Sequence, residues 1–87
     1  MIEYSVIWSR DADYLVGQFW LGSTTFGEIT SAITNLEMIL SSDPRPPQAT
    51  RREDLWFLTS YPLRVAYEID EVAKDVFIVN VGLLDRQ

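Results

Sequence analysis

The 87-residue chain contains no cysteine and no histidine. The first absence excludes disulfide staples and thiolate metal sites, and it suits a reducing compartment. The second removes the commonest general base and the commonest transition-metal ligand, so any catalysis has to rest on Asp, Glu, Tyr, Lys or Arg. No run of 18 apolar residues occurs, so no membrane-spanning helix is expected. Met1-Ile2-Glu3-Tyr4 lacks the basic region and apolar core of a secretory leader, and a cytoplasmic protein is expected. Cations are scarce: seven Lys and Arg stand against 13 Asp and Glu, for a formal net charge of -6. Such a body repels polyanions at long range, which disfavours direct nucleic-acid contact.

What is present is apolar and aromatic. The hydrophobic fraction is 47%, with three Trp, four Tyr and four Phe, enough for one modest core and one domain over residues 1–87. Ile2, Tyr4, Val6 and Trp8 alternate with Glu3, Ser5 and Ile7, the period of a half-buried strand. Ser9 stands at an N-cap position and Asp11 and Asp13 follow in a first turn, where the helix dipole favours negative charge. Ala12, Leu15, Val16 and Phe19 then form one helical stripe, predicting a helix from Arg10 to Leu21 that stops at Gly22. Thr25-Phe-Gly-Glu28 fits a capping box and opens a second helix carrying Ile29, Ile33, Leu36 and Leu40, which Asp43-Pro44 ends.

Asp43 to Asp54 holds three prolines and three arginines and is expected to be a loop. Leu55-Trp-Phe-Leu58 reads as a short strand and Ser60-Tyr61-Pro62 as a turn. Two long β-prone runs, Pro62 to Asp70 and Val76 to Leu84, read as a hairpin near the centre of a sheet. The expected fold class is α+β in the order β-α-α-β-β-β: an antiparallel two-helix hairpin on one face of a mainly antiparallel four-stranded sheet.

That order, with Pro62-Leu-Arg-Val-Ala-Tyr-Glu-Ile-Asp70 and Val76-Phe-Ile-Val-Asn-Val-Gly82, resembles the RelE/ParE superfamily of type II toxin-antitoxin toxins. The resemblance covers the whole chain and rests on hydrophobic pattern plus Arg64. It implies a toxin-type protein with a cognate antitoxin as partner. RelE-like members cleave mRNA with a cluster of Lys and Arg and a tyrosine, because the transition state of 2'-hydroxyl attack on phosphate gains negative charge. ParE-like members poison gyrase and lack most of that cluster. Carried over by position, Arg64 matches the arginine of the third strand. Leu55 to Thr59 has no lysine, Leu83-Leu84 stands where a further arginine is expected, and Arg86 follows two residues later. No tyrosine-bearing tail follows Gly82.

The candidate catalytic positions implied are therefore Arg64 and Arg86. Arg64 has a plainer alternative, pairing with Glu68 on the same strand face. Tyr67, in phase with Leu63, Val65 and Ile69, is expected to put its ring in the core and its hydroxyl at the rim. Arg45, Arg51 and Arg52 form a candidate patch for a partner or nucleic acid, with a solvated loop as the alternative. Trp56 and Phe57, with Trp20, are candidates for an exposed aromatic surface, since the strand around them is apolar on both faces. Glu68, Asp70, Glu71 and Asp75 cluster at the hairpin turn in a spacing that fits no EF-hand loop and read as solvating charges. No metal and no cofactor is expected. The function expected is that of a toxin-like protein acting through protein contact, with its antitoxin and a gyrase-type target, without RNase activity. The alternatives are a metal-independent, ribosome-dependent mRNA endoribonuclease and a stand-alone interaction module, for instance a homodimer.

Overall fold

In the computed structural model, which describes residues 3–21 and 26–84 with the side chains of Trp20 and Phe26 excepted, the first helix begins where its cap residue dictates. Ser9 Oγ accepts from the Ala12 amide at 3.1 Å, satisfying one of the free donors of helix α1 (Arg10–Leu21). Asp11 and Asp13 lie in that first turn. Strand β1 (Ser5–Trp8) precedes it and helix α2 (Phe26–Ser42) follows. Both helices span the predicted residues. Gly22 and Thr25, offered as stop and cap, lie outside the described residues.

Among the described residues the sheet has five strands, where four are expected from sequence. After α2 come β2 (Thr50–Arg52), β3 (Leu55–Ser60), β4 (Leu63–Asp70) and β5 (Asp75–Leu83), in the spatial order β1-β5-β4-β3-β2. Strand β1 runs parallel to β5 and every other pairing is antiparallel. The segment expected to be loop throughout thus contains an edge strand, in which Thr50, Arg51 and Arg52 face Phe57, Trp56 and Leu55. Its three side chains are all exposed, so it carries no hydrophobic alternation. Pairing with β3 makes it a strand, and charge on an edge strand discourages further pairing.

Alternation sorts the remaining strands into two faces. Leu63, Val65 and Tyr67 of β4, Val76 and Ile78 of β5 and Leu58 of β3 are buried beneath Ala12, Val16, Ile29, Leu36 and Leu40 of the helices. Among the described residues no second layer covers the opposite face. Between Ile78 and Asn80 the β4–β5 register shifts, leaving Val79 as the extra residue of a bulge. Ser9 occupies that irregularity: its amide donates to the Ile78 carbonyl at 2.9 Å and its hydroxyl to the Val79 carbonyl at 3.4 Å. The residue that caps α1 thereby also binds α1 to the central hairpin.

Tyr67 departs from expectation in one respect. Its ring is in the core, but its hydroxyl is buried rather than at a rim and donates to the Pro44 carbonyl at 2.8 Å. Burial, reinforced by the negative charge of Asp43 and opposed by Arg45, pushes its pKa up to about 12. The bond fixes the proline-rich segment over the core, where Pro44 and Pro46 are buried. Among the described residues no helix is long and apolar enough to cross a membrane.

Tyr67→Phe keeps the ring and strands a buried carbonyl, so urea denaturation should show a loss of about 1–2 kcal/mol. Leu36→Ala, at a fully buried position, should cost about 2–5 kcal/mol by the same measurement. A tyrosine variant as stable as the parent would show that the hydroxyl does not hold the loop.

Candidate functional site

The uncovered sheet face is shaped by its smallest residues. Cross-strand neighbours Arg64 and Gly82, and Ala66 and Asn80, sit side by side on it, with Phe57 opposite Ala66. Ala66 and Gly82 leave a hollow that the larger side chains wall in. The cleft is about 300 Å³ and is lined by Phe57, Arg64, Ala66, Asn80, Val81, Gly82, Leu83 and Leu84. A Cβ at Gly82 would meet nothing within 4 Å, so the glycine serves here as empty space and not as a backbone necessity.

Arg64 is the cation of this cleft. It lies diagonally across β3–β4 from Phe57, a spacing long side chains can bridge, and its guanidinium sits 4.8 Å from the Phe57 ring centroid. A cation over an aromatic face is held by the ring quadrupole, worth roughly 0.5–1 kcal/mol at an exposed site. Among the described residues Arg64 makes no ion pair, and the pairing with Glu68 considered from sequence is not formed. The arrangement can hold a carboxylate or phosphate oxygen at Arg64 and pack an apolar chain against Phe57 and Leu83. Among the described residues no carboxylate or tyrosine lines the cleft. Tyr67 points into the core on the other side of the sheet.

The other candidate cations are divided. Arg45, from the segment after α2, and Arg51, on β2, both lie over Trp56, at 5.8 and 5.7 Å from its ring. Trp56 pairs with Tyr67 in register and packs against the core, so it is on the helix side and half-buried. Arg52 is opposite Leu55, one position out of phase with Arg51, which puts it on the side of the sheet that carries Phe57. The loop patch expected from sequence is therefore split between two faces, as are Trp56 and Phe57. Arg86 and Trp20's side chain lie outside the described residues.

The acidic hairpin turn is more than a solvated tip. Glu71 forms an ion pair with Arg45 at 2.6 Å and with Lys74 at 3.6 Å, and accepts from the Tyr4 hydroxyl at 3.0 Å. Those bonds, led by that to Arg45, hold its carboxyl below the usual range. Asp70 accepts from the Val72 and Ala73 amides at 3.1 and 3.0 Å and so shapes the turn. Among the described residues no group of three or more acidic side chains could hold a metal. Sequence reasoning missed Ala66, Asn80, Gly82 and Leu83 as cleft residues. The one available signal was two small residues on the outward phase of adjoining strands.

No protein-family model matches this sequence, and no curated protein matches it. Solved structures do. The toxin-antitoxin complex RelBE2 from Mycobacterium tuberculosis has a chain that superposes with a TM-score of 0.75 at 20% identity, over 95% of this chain and 93% of that one. The fold is that of the RelE/ParE toxins. The isolated RelE toxin of E. coli superposes with a TM-score of 0.66 at 18% identity, covering 97% of this chain and 87% of that chain. The ParDE system of P. aeruginosa gives 0.61 at 13% identity, over 95% and 98%. The RelE/ParE resemblance drawn from residues 62–82 is thus borne out at the level of fold. RelE and ParE proteins both occur among the similar structures, so the fold alone does not choose between the two branches.

The ties to Glu71 predict a particular acid response. Its carboxyl is depressed in the folded chain, so its stabilising contribution is complete above the ordinary carboxylate pKa and is lost as the pH falls through the lowered value. Glu71→Gln should therefore flatten the acid limb of the stability–pH curve, measured by urea midpoints, while leaving the curve above pH 8 parallel to the parent's. An unchanged acid limb would mean the ion pairs contribute nothing.

Proposed function

We propose that this chain is the toxin-type partner of a toxin-antitoxin pair, that a cognate antitoxin neutralises it, and that it acts by protein contact without cutting RNA. The observation that carries this reading is the composition of the open-face cleft. Its one cation among the described residues, Arg64, already rests on Phe57, and the remaining lining is apolar apart from Asn80. Cleavage by 2'-hydroxyl attack needs a group to take a proton and positive charge around the phosphate as the transition state forms. Here no carboxylate, imidazole or phenol is among the described lining residues to take that proton, and Tyr67 is turned into the core, where burial makes it hard to ionise. The same cleft suits contact: a concave apolar floor with a single arginine is the composition of a protein-binding pocket. The similar structures include toxins crystallised with their antitoxins, which supports the partner assigned here.

Conditional expression in bacteria tests the reading. Induction should arrest growth, co-expression of the cognate antitoxin should relieve the arrest, and Gly82→Phe should abolish it by filling the cleft while thermal unfolding stays two-state. Arrest that persists in Gly82→Phe, or no arrest from the parent chain, would contradict the proposal. The second result would favour a stand-alone interaction module.

A further inference from the structure

On the other side of the sheet, α1 and α2 do not close completely over β1. Trp8, Asp13, Val16, Ile33 and Glu37 line a hollow of about 200 Å³ between them. Its floor is apolar and its lips are carboxylates. Glu37 accepts from the Trp8 indole, Nε1 to Oε2, at 3.0 Å, which anchors one lip. The Asp13 carboxylate has no hydrogen-bond or ion-pair partner among the described residues. No basic residue stands in the last turn of either helix. Across both helices Arg10 is the sole cation, against Asp11, Asp13, Glu28 and Glu37.

One helical turn beyond Asp13, on the same side of α1, is Gly17. Glycine weakens a helix interior relative to alanine, so its presence asks for a reason. A Cβ there would meet nothing within 4 Å, and internal packing does not require it. Gly17 does not itself line the hollow, but its missing side chain leaves open space one turn along α1 from the Asp13 lip.

We propose that this groove docks a basic, partly apolar segment of a partner protein, with a Lys or Arg side chain entering between Asp13 and Glu37 against the Trp8 ring. Charge complementarity selects the occupant. Two carboxylates over an aromatic floor attract a cationic side chain by Coulomb and cation–π terms, and an acidic segment would be repelled by them and by the net charge of -6. The proposal rests on the view that the chain works through a protein partner, and it adds the chemistry of that partner.

The test needs no identified partner. An amphipathic lysine–leucine peptide and a glutamate–leucine peptide of equal length are titrated into the ¹⁵N-labelled chain, with the Trp8 indole N–H as reporter. The lysine peptide should bind and shift Trp8 and the amides around Asp13, Gly17 and Glu37, and the glutamate peptide should not. The double substitution D13K/E37K should weaken lysine-peptide binding by roughly tenfold or more and admit the glutamate peptide. E53K/D54K makes the same change of net charge away from the groove and should leave the affinity unchanged. Gly17→Gln should weaken binding without lowering the melting temperature. Equal losses in D13K/E37K and E53K/D54K would reduce the effect to bulk attraction and overturn the proposal, as would binding that leaves Trp8 unmoved. Either result leaves the growth experiment untouched, so the groove and the toxin reading can fail separately.

Discussion

Two helices can bury only one side of a five-stranded sheet, and the rest of this structure follows from that limit. Apolar residues in one phase of β3, β4 and β5 go under the helices, and whatever sits in the other phase faces out. Phe57, Arg64, Ala66, Asn80 and Gly82 are the outward set. Their cleft needs no loop to build it. It exists because two of the five are too small to fill the space between the others.

Local pairing, rather than net charge, decides what the cations do. Arg64 is held on Phe57, Arg45 is shared between Glu71 and Trp56, and Arg51 lies over the same Trp56 ring. A count of arginines near residue 50 suggests a basic surface that the strand register then divides. On the helix side two acidic residues, Asp13 and Glu37, rim a groove with no cation among its described lining residues. The chain therefore presents two different sites, an open-face cleft in which Arg64 is the one cation among the described residues and a helix-side groove with acidic lips, and each calls for a different kind of contact.

Much of this was legible from residue order. The cap at Ser9, the stripe from Ala12 to Phe19 and the Pro44 stop place both helices, and the alternation from Leu63 to Asp70 places the central hairpin and the inward ring of Tyr67. These are local signals, set by neighbours within one or two turns. What escaped reading is non-local. β2 has no apolar period and is a strand only because β3 lies beside it. The bulge at Val79 depends on cross-strand register, and the Tyr67 hydroxyl finds Pro44 across 23 positions of sequence. The cleft was hidden for the same reason, since nothing in Gly82 or Ala66 alone announces that they share a hollow with Arg64.

The proposal turns on one point, that the open-face cleft serves protein contact and not phosphate chemistry. Incubating the purified chain with ribosomes paused on a defined mRNA, and mapping the 5' ends by primer extension, tests it most directly. Intact mRNA at chain concentrations that arrest growth in cells is the predicted result. Cleavage at the paused codon that disappears in Arg64→Ala would contradict it.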